Sequence, residues 1–373
     1  MALKTVHVSD VPSLDHVRDN SGLAISSATF SNNGCDGVKV PFKPQKFLVV
    51  GHRGSGMNMD LRMKAIKENS ILSFKEAGKS GVDFVEFDVQ VTKDDCPIIF
   101  HDDFILTEEH GCISEKRVTE LSLKEFLHYG PQSEPGKEGK PLLRKAKDGK
   151  IYNWNVERDD SHCTLQEAFQ KVDSSLGFNI ELKFDDNLNY QDEELVHILQ
   201  VILQQVVFEY ANDRPIIFSS FQPDAVRVIK KLQDIYPVFF LTNGGCEVYS
   251  DVRRNSLDEA IKICLMNGLE GIVSEVRAIF RNPGAIPRIK EANLTLLTYG
   301  QLNNVPEAVY MQHLMGIDGV IVDQVKEITE VVSEFTGPAT GEEGLPGQAT
   351  TKPNFSQREL SFLLKLIPEL IKV

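Results

Sequence analysis

Between residues 46 and 332 short apolar runs alternate with stretches of helical periodicity, and this alternation limits the fold more than any other feature. The runs are FLVV (47–50), FVEFDVQV (84–91), PIIF (97–100), FNIELKF (178–184), PIIFSS (215–220), VFFLT (238–242), GIVS (271–274), TLLTY (295–299) and GVIVD (319–323). NSILSFKEAGKSG, DEELVHILQVILQQVVFEYA, QPDAVRVIKKLQ and SLDEAIKICLMNG between them carry apolar residues at helical spacing. Parallel strands need a crossover of a dozen or more residues, usually a helix. The pattern therefore predicts a parallel sheet covered by helices.

One connection breaks the rhythm. VTKDDC, between 91 and 96, is too short for a crossover, and Asp94-Asp95 before Pro97 reads as a turn. Residues 84–91 and 97–101 are thus expected to form an antiparallel hairpin. If Thr92 faces Pro97, His101 lies opposite Asp88. Setting the hairpin arm aside leaves eight strands, and eight strands with interleaved helices predict a distorted (β/α)8 (TIM) barrel.

The barrel is expected over 46–332. Residues 103–163, rich in charge, Gly, Lys and Glu, read as an insertion after the second-strand hairpin. Residues 1–45 read as an N-terminal extension; Asp10, Asp15 and Asp19 weaken a targeting role without excluding it. Over 333–373 a linker, GPATGEEGLPGQATTKPNF, precedes an amphipathic C-terminal helix that opens with a Ser356/Glu359 capping-box pattern. The formal net charge of −14 argues against a nucleic-acid partner. No apolar run approaches membrane-spanning length. The six cysteines show neither zinc spacing nor a disulfide framework.

The polar residues that sit oddly in apolar strands are the chemical signal. Glu86 and Asp88 are two apart in FVEFDVQV, so both project from one face, roughly 6–7 Å apart at the backbone. Two such anions repel unless something compensates. Glu181 and Lys183 repeat the spacing in FNIELKF. His52 and Arg53 follow the first strand and His101 the hairpin. In a barrel these groups converge where the strands' C-terminal ends open. Glu86, Asp88 and Glu181 make an oxygen-only ligand set suited to one divalent cation, Mg²⁺ or Ca²⁺. His52 and His101 can exchange protons near neutrality, and Arg53 and Lys183 suit a phosphate. Together they describe phosphodiester cleavage better than acyl or hydride transfer. Lys183 has a plainer use, pairing with Glu181 or Asp185. Asp323 ends its strand, where a helix cap and a contact to the site are both open.

Seven segments carry a family resemblance: GHRG, ENSILSF, DFVEFDVQVTKDDCPIIFHDD, CTLQEAF, FNIELK, FSSF and GIDGVIVD, in that order. The chain resembles the glycerophosphodiester phosphodiesterases, closest to the plant form. The resemblance implies hydrolysis of a small glycerophosphodiester to sn-glycerol 3-phosphate and an alcohol such as choline or ethanolamine. It implies Glu86, Asp88 and Glu181 as metal ligands and His52 and His101 as the acid–base pair. Arg53 and Lys183 match phosphate contacts, and Glu68 and Asn69 a supporting pair near the first histidine. Tyr299 stands where the family often has Trp, leaving an aromatic wall against the substrate. A plastid location follows by the same resemblance, with the cytoplasm as the alternative. Two competing functions are a phospholipase C- or D-like enzyme acting on intact lipids and a catalytically inactive barrel that binds.

Overall fold

A computed structural model describes residues 42–58, 65–132, 136–146 and 149–336. Most of the expected N-terminal extension, and all of the linker and C-terminal helix beyond 336, lie outside these residues. Eight parallel strands close into a barrel: β1 (Leu48–Gly51), β2 (Phe84–Val91), β8 (Gly177–Leu182), β9 (Ile216–Ser220), β10 (Val238–Thr242), β11 (Gly271–Glu275), β12 (Thr295–Tyr299) and β13 (Gly319–Val322). β1 pairs with β13 on one side and with β2 on the other, which completes the ring.

Strand alternation divides the apolar residues into two cores. Leu48, Val50, Phe84, Ile217, Phe239, Leu241, Val273, Leu297 and Ile321 fill the barrel, and Phe42 packs against them. Val85, Phe87, Val89 and Val91 belong instead to the core shared with the surrounding helices. Glu86 and Asp88 occur at the alternate positions of a strand buried on both faces. The charged face inferred from sequence therefore looks into the barrel and not out to solvent.

Helix boundaries have local causes. Ser70 caps the helix Ile71–Lys79 by accepting from the Ser73 amide. Gly268, at φ 63°, ends the helix Leu257–Asn267 in the left-handed conformation that glycine adopts without strain. The long helix expected over 192–211 is interrupted: its α-helical turns end at Ile202 and a π-helical turn spans Leu203–Val207.

The hairpin forms, but its register differs from expectation by one residue. Val91 faces Pro97 and Val89 faces Ile99 in β3 (Pro97–Ile99). Thr92 and Cys96 close a three-residue loop, in which Asp95 takes φ 58°. A left-handed third residue is what such a loop requires, and it is tighter than the four-residue loop assumed from sequence. Phe100, not His101, therefore lies opposite Asp88, and its amide donates to the Asp88 carbonyl at 2.9 Å.

Between β3 and β8 stands a four-stranded antiparallel sheet: β4 (Phe104–Glu109), β5 (Cys112–Arg117), β6 (Leu143–Lys145) and β7 (Ile151–Asn153). It has a small core of its own, including Phe100, Ile105, Phe126, Tyr129 and Trp154. Arg117 pairs with buried Asp185, tying the hairpin β4–β5 to the barrel.

Candidate active site

The register of the barrel brings the acidic residues together. Asp88 and Glu181 are direct neighbours on adjacent parallel strands, and Glu86 lies two residues earlier on β2. Oxygens of all three lie within 4.8 Å of one another. Each residue is nearly fully buried. Glu86 Oε1 and Asp88 Oδ1 are buried with no hydrogen-bond partner. Orphaned carboxylate oxygens in a low-dielectric interior are unfavourable unless a cation takes them up. Burial first, and then the Asp88 charge, pushes the Glu86 carboxyl well above its ordinary range. Burial has the same effect on Glu181, where Lys183 opposes it. At Asp88 burial is overcome by His101, Arg53 and Lys183, and its carboxyl is held low. An all-oxygen trio with unsatisfied atoms, two of its carboxyls pushed up by burial and mutual repulsion, fits a hard divalent cation.

The first histidine reaches this trio through β1. Gly51 pairs with Val85 of β2 and Val322 of β13, so the next residue comes level with Glu86 on one side and Asp323 on the other. His52 Nδ1 lies 2.7 Å from Asp323 Oδ1, and Nε2 lies 3.9 Å from Glu86 Oε2. A carboxylate can only accept, so the imidazole keeps its proton on Nδ1. Burial disfavours the imidazolium, but the charge and hydrogen bond of Asp323 outweigh it and raise the pKa to about 9. Asp323 is itself fixed: it accepts from Met57 N at 3.0 Å and from Asn304 Nδ2 at 3.0 Å. Gly56 makes this approach possible; with φ 106°, a Cβ there would meet the Asp323 carbonyl at 2.6 Å.

His101 is held in the same manner, and its pKa is moved in the other direction. Its Nδ1 lies 2.7 Å from Asp102 Oδ1. Burial, then Arg53 and Lys183, lower its pKa to about 4. The chain leaves the strand at Phe100, whose ring packs edge-to-face on Phe126 at 5.7 Å, so this turn sets His101 in the cleft despite the altered register.

The remaining expected residues take clear places. Arg53 donates from Nη1 to Glu68 Oε1 at 2.8 Å, lies 3.5 Å from Asp88, and donates its backbone N–H to Glu86 at 2.9 Å. Lys183 Nζ stands 3.1 Å from Glu181 and 3.7 Å from Asp88. Glu68 supports Arg53, the residue next to His52. Asn69 Nδ2 donates to Asp88 at 2.8 Å, so it holds a member of the acidic trio. Tyr299 lines the cleft, packs edge-to-face on Phe221 at 6.0 Å and donates its hydroxyl to Asn243. The cleft measures about 1530 Å³ and contains His52, Arg53, Glu86, His101, Glu181 and Lys183 along its wall.

A family model for glycerophosphoryl diester phosphodiesterases matches residues 52–327. The chain belongs to that family. It is accordingly an enzyme of the phosphodiesterase class. The chloroplastic glycerophosphodiester phosphodiesterase GDPD1 of Arabidopsis thaliana is 61% identical over 377 residues, covering all of both chains. Glycerophosphodiester phosphodiesterase GDPD2 of the same plant is 58% identical, again over both whole lengths. Among solved structures, a phosphodiesterase of Oleispira antarctica in complex with the product sn-glycerol-3-phosphate matches with a TM-score of 0.54 and 21% identity, covering 77% of this chain and 96% of that one. These relatives account for the motif set named above, and the structural likeness accounts for the barrel.

Asp102, Asp323 and Arg144 matter here, through their contacts to His101, to His52 and to Asp102 with Glu68, and the sequence assigned a definite role to none of them. Asp323 was left open between a cap and a contact, and its position one residue beyond a strand end was the available signal. Arg144 lies inside the insertion and carried no signal at all.

Proposed function

We propose that this enzyme hydrolyses glycerophosphodiesters such as glycerophosphocholine and glycerophosphoethanolamine to sn-glycerol 3-phosphate and the free alcohol, with one divalent cation, Mg²⁺ or Ca²⁺, and with His52 and His101 as the acid–base pair. The observation that carries this reading is the meeting of two carboxylate-anchored histidines and an unsatisfied acidic trio in one cleft. Bound at Glu86, Asp88 and Glu181, the cation would supply charge neutralisation and polarisation of a phosphoryl oxygen.

The chain's own groups then have distinct tasks. Lys183 and the Arg53 guanidinium offer positive charge to the phosphate beside the trio. His101, neutral and with Nδ1–H directed to Asp102, has a free Nε2 lone pair and serves as base on the nucleophile. The nucleophile is water or the substrate's own glycerol hydroxyl. His52, held charged by Asp323, donates from Nε2 to the leaving oxygen. Tyr299 and Phe221 form an apolar wall for the organic part of the substrate. A plastid location rests on the chloroplastic relative that matches over its whole length.

The test is an assay of metal-stripped protein for glycerol 3-phosphate release from glycerophosphocholine, before and after Mg²⁺ or Ca²⁺ is restored. Activity should vanish on chelation and return with the metal. Full activity after exhaustive chelation would exclude the cation. Faster turnover of intact phosphatidylcholine than of glycerophosphocholine would favour the phospholipase reading.

A further inference from the structure

From outside the barrel, Arg144 of the insertion reaches groups that support the catalytic cleft. Arg144, on β6, is the largest fully buried side chain among the described residues, with 1% exposure. Its Nη2 lies 3.0 Å from Asp102 Oδ1 and 3.0 Å from Glu68 Oε1. The guanidinium stacks on the indole of Trp154, 4.0 Å from the ring centroid. Arg144 also pairs in register with Tyr152 of β7, so the small sheet itself aims it.

The two carboxylates depend on Arg144 unequally. Glu68 has other partners: Arg53 at 2.8 Å and the Asn58 amide. Arg53 in turn keeps its contact to Asp88. Among the described residues, Asp102's carboxylate has His101 and Arg144 as partners. The Asp102 side chain is 28% exposed. With only one bond, to an imidazole that must itself be oriented, it is free to turn towards water. The second bond, from a rigid and buried cation, stops that rotation.

We propose that Arg144 is a positioning residue for turnover: the insertion holds Asp102, and Asp102 holds the His101 ring with Nε2 towards the reacting phosphate. The inference rests on the role assigned to His101 above. It makes the four-stranded insertion a working part of the site and not merely an outgrowth of the barrel. It also places the defect in kcat, because the phosphate contacts of Arg53 and Lys183 do not pass through Asp102.

The experiment is a double-mutant cycle on the full-length, metal-loaded protein with glycerophosphocholine: Arg144→Met, Arg144→Lys, Asp102→Asn and the Arg144→Met/Asp102→Asn pair. Because Arg144 stacks on Trp154, tryptophan emission would change with the contact itself, so far-ultraviolet circular dichroism and the melting temperature report whether each variant remains folded. Arg144→Met should lower kcat about 10–100-fold, the scale seen when a group that orients an active-site side chain loses its own support, and change KM less than about 3-fold. Arg144→Lys, which returns a cation to the same pair, should recover part of the loss. In the Asp102→Asn background, Arg144→Met should cost less than about 3-fold more, since the route through Asp102 is already cut. Losses that multiply independently, a defect confined to KM, or unchanged kcat would each overturn the proposal. His101→Ala separates the two levels: if it keeps normal turnover, the functional reading itself fails. If it is inactive while Arg144→Met is normal, only the role of Arg144 falls.

Discussion

Asp323→Asn is the most direct test of how the histidines are set apart. The substitution keeps the size of the side chain and removes the charge that faces His52 Nδ1 at 2.7 Å. His52 stands raised from 6.5 to about 9, a gap of about 2.5, which corresponds to about 3 kcal/mol favouring the imidazolium. That figure is net of burial and of Arg53, both of which oppose the charge and both of which persist in the variant. The His52 pKa in Asp323→Asn should therefore fall to 6.5 or below. The sign for stability follows from linkage. A group whose folded pKa is raised stabilises the fold fully below its unfolded pKa, and that contribution is lost as pH rises through the folded value. Wild-type protein should lose up to about 3 kcal/mol between pH 6.5 and pH 9 from this group, and Asp323→Asn should lose none of it. Histidine NMR titration of the metal-free protein gives the pKa, and urea unfolding at pH 6 and pH 9.5 gives the stability. In turnover, the acid requires a charged His52, so the alkaline limb should move to lower pH in the variant. A His52 resonance that titrates near 9 in both proteins would refute the assignment of Asp323 as its anchor.

Replacing His52 or His101 by Ala should each lower kcat about 10²–10⁴-fold at saturating substrate and metal, with a smaller change in binding, and steady-state kinetics measures both. Glu86→Gln keeps an oxygen for the Arg53 amide and removes one buried charge. Calorimetry should show weakened Mg²⁺ or Ca²⁺ binding, while the melting temperature of the metal-free protein stays equal or rises. Phe87 is wholly buried between Phe74, at 5.0 Å, and Phe178, at 4.9 Å. Phe87→Ala should cost about 3–5 kcal/mol in urea unfolding through lost burial and the cavity left behind.

Much of this site could be read from spacing. The interval of two between Glu86 and Asp88, and again between Glu181 and Lys183, follows strand alternation, a local property that survives any packing. The eight strands followed from apolar runs separated by helical segments, for the same reason. Residues next to strand ends, His52 and Arg53, were marked because barrels gather chemistry there. What needed the third dimension was every relation across strands. That Asp88 sits beside Glu181 depends on the stagger of β2 against β8, and no local pattern encodes a stagger. The hairpin register slipped by one because Asp95 adopts a left-handed turn, an option within the reach of Asp but not announced by it. His101 still arrives in the cleft, since the packing of Phe100 into the insertion turns the chain there. Asp323, 271 residues from His52, and Arg144, 42 residues beyond Asp102, act through contacts that only chain closure creates. The sequence by itself determined which residues could do the chemistry, because side-chain type and local periodicity are written residue by residue. Tertiary structure alone decided that Asp323 faces His52 while Arg53 and Lys183 stand near His101, because groups distant in the chain are brought near only by the fold, and their fields sum to set each pKa.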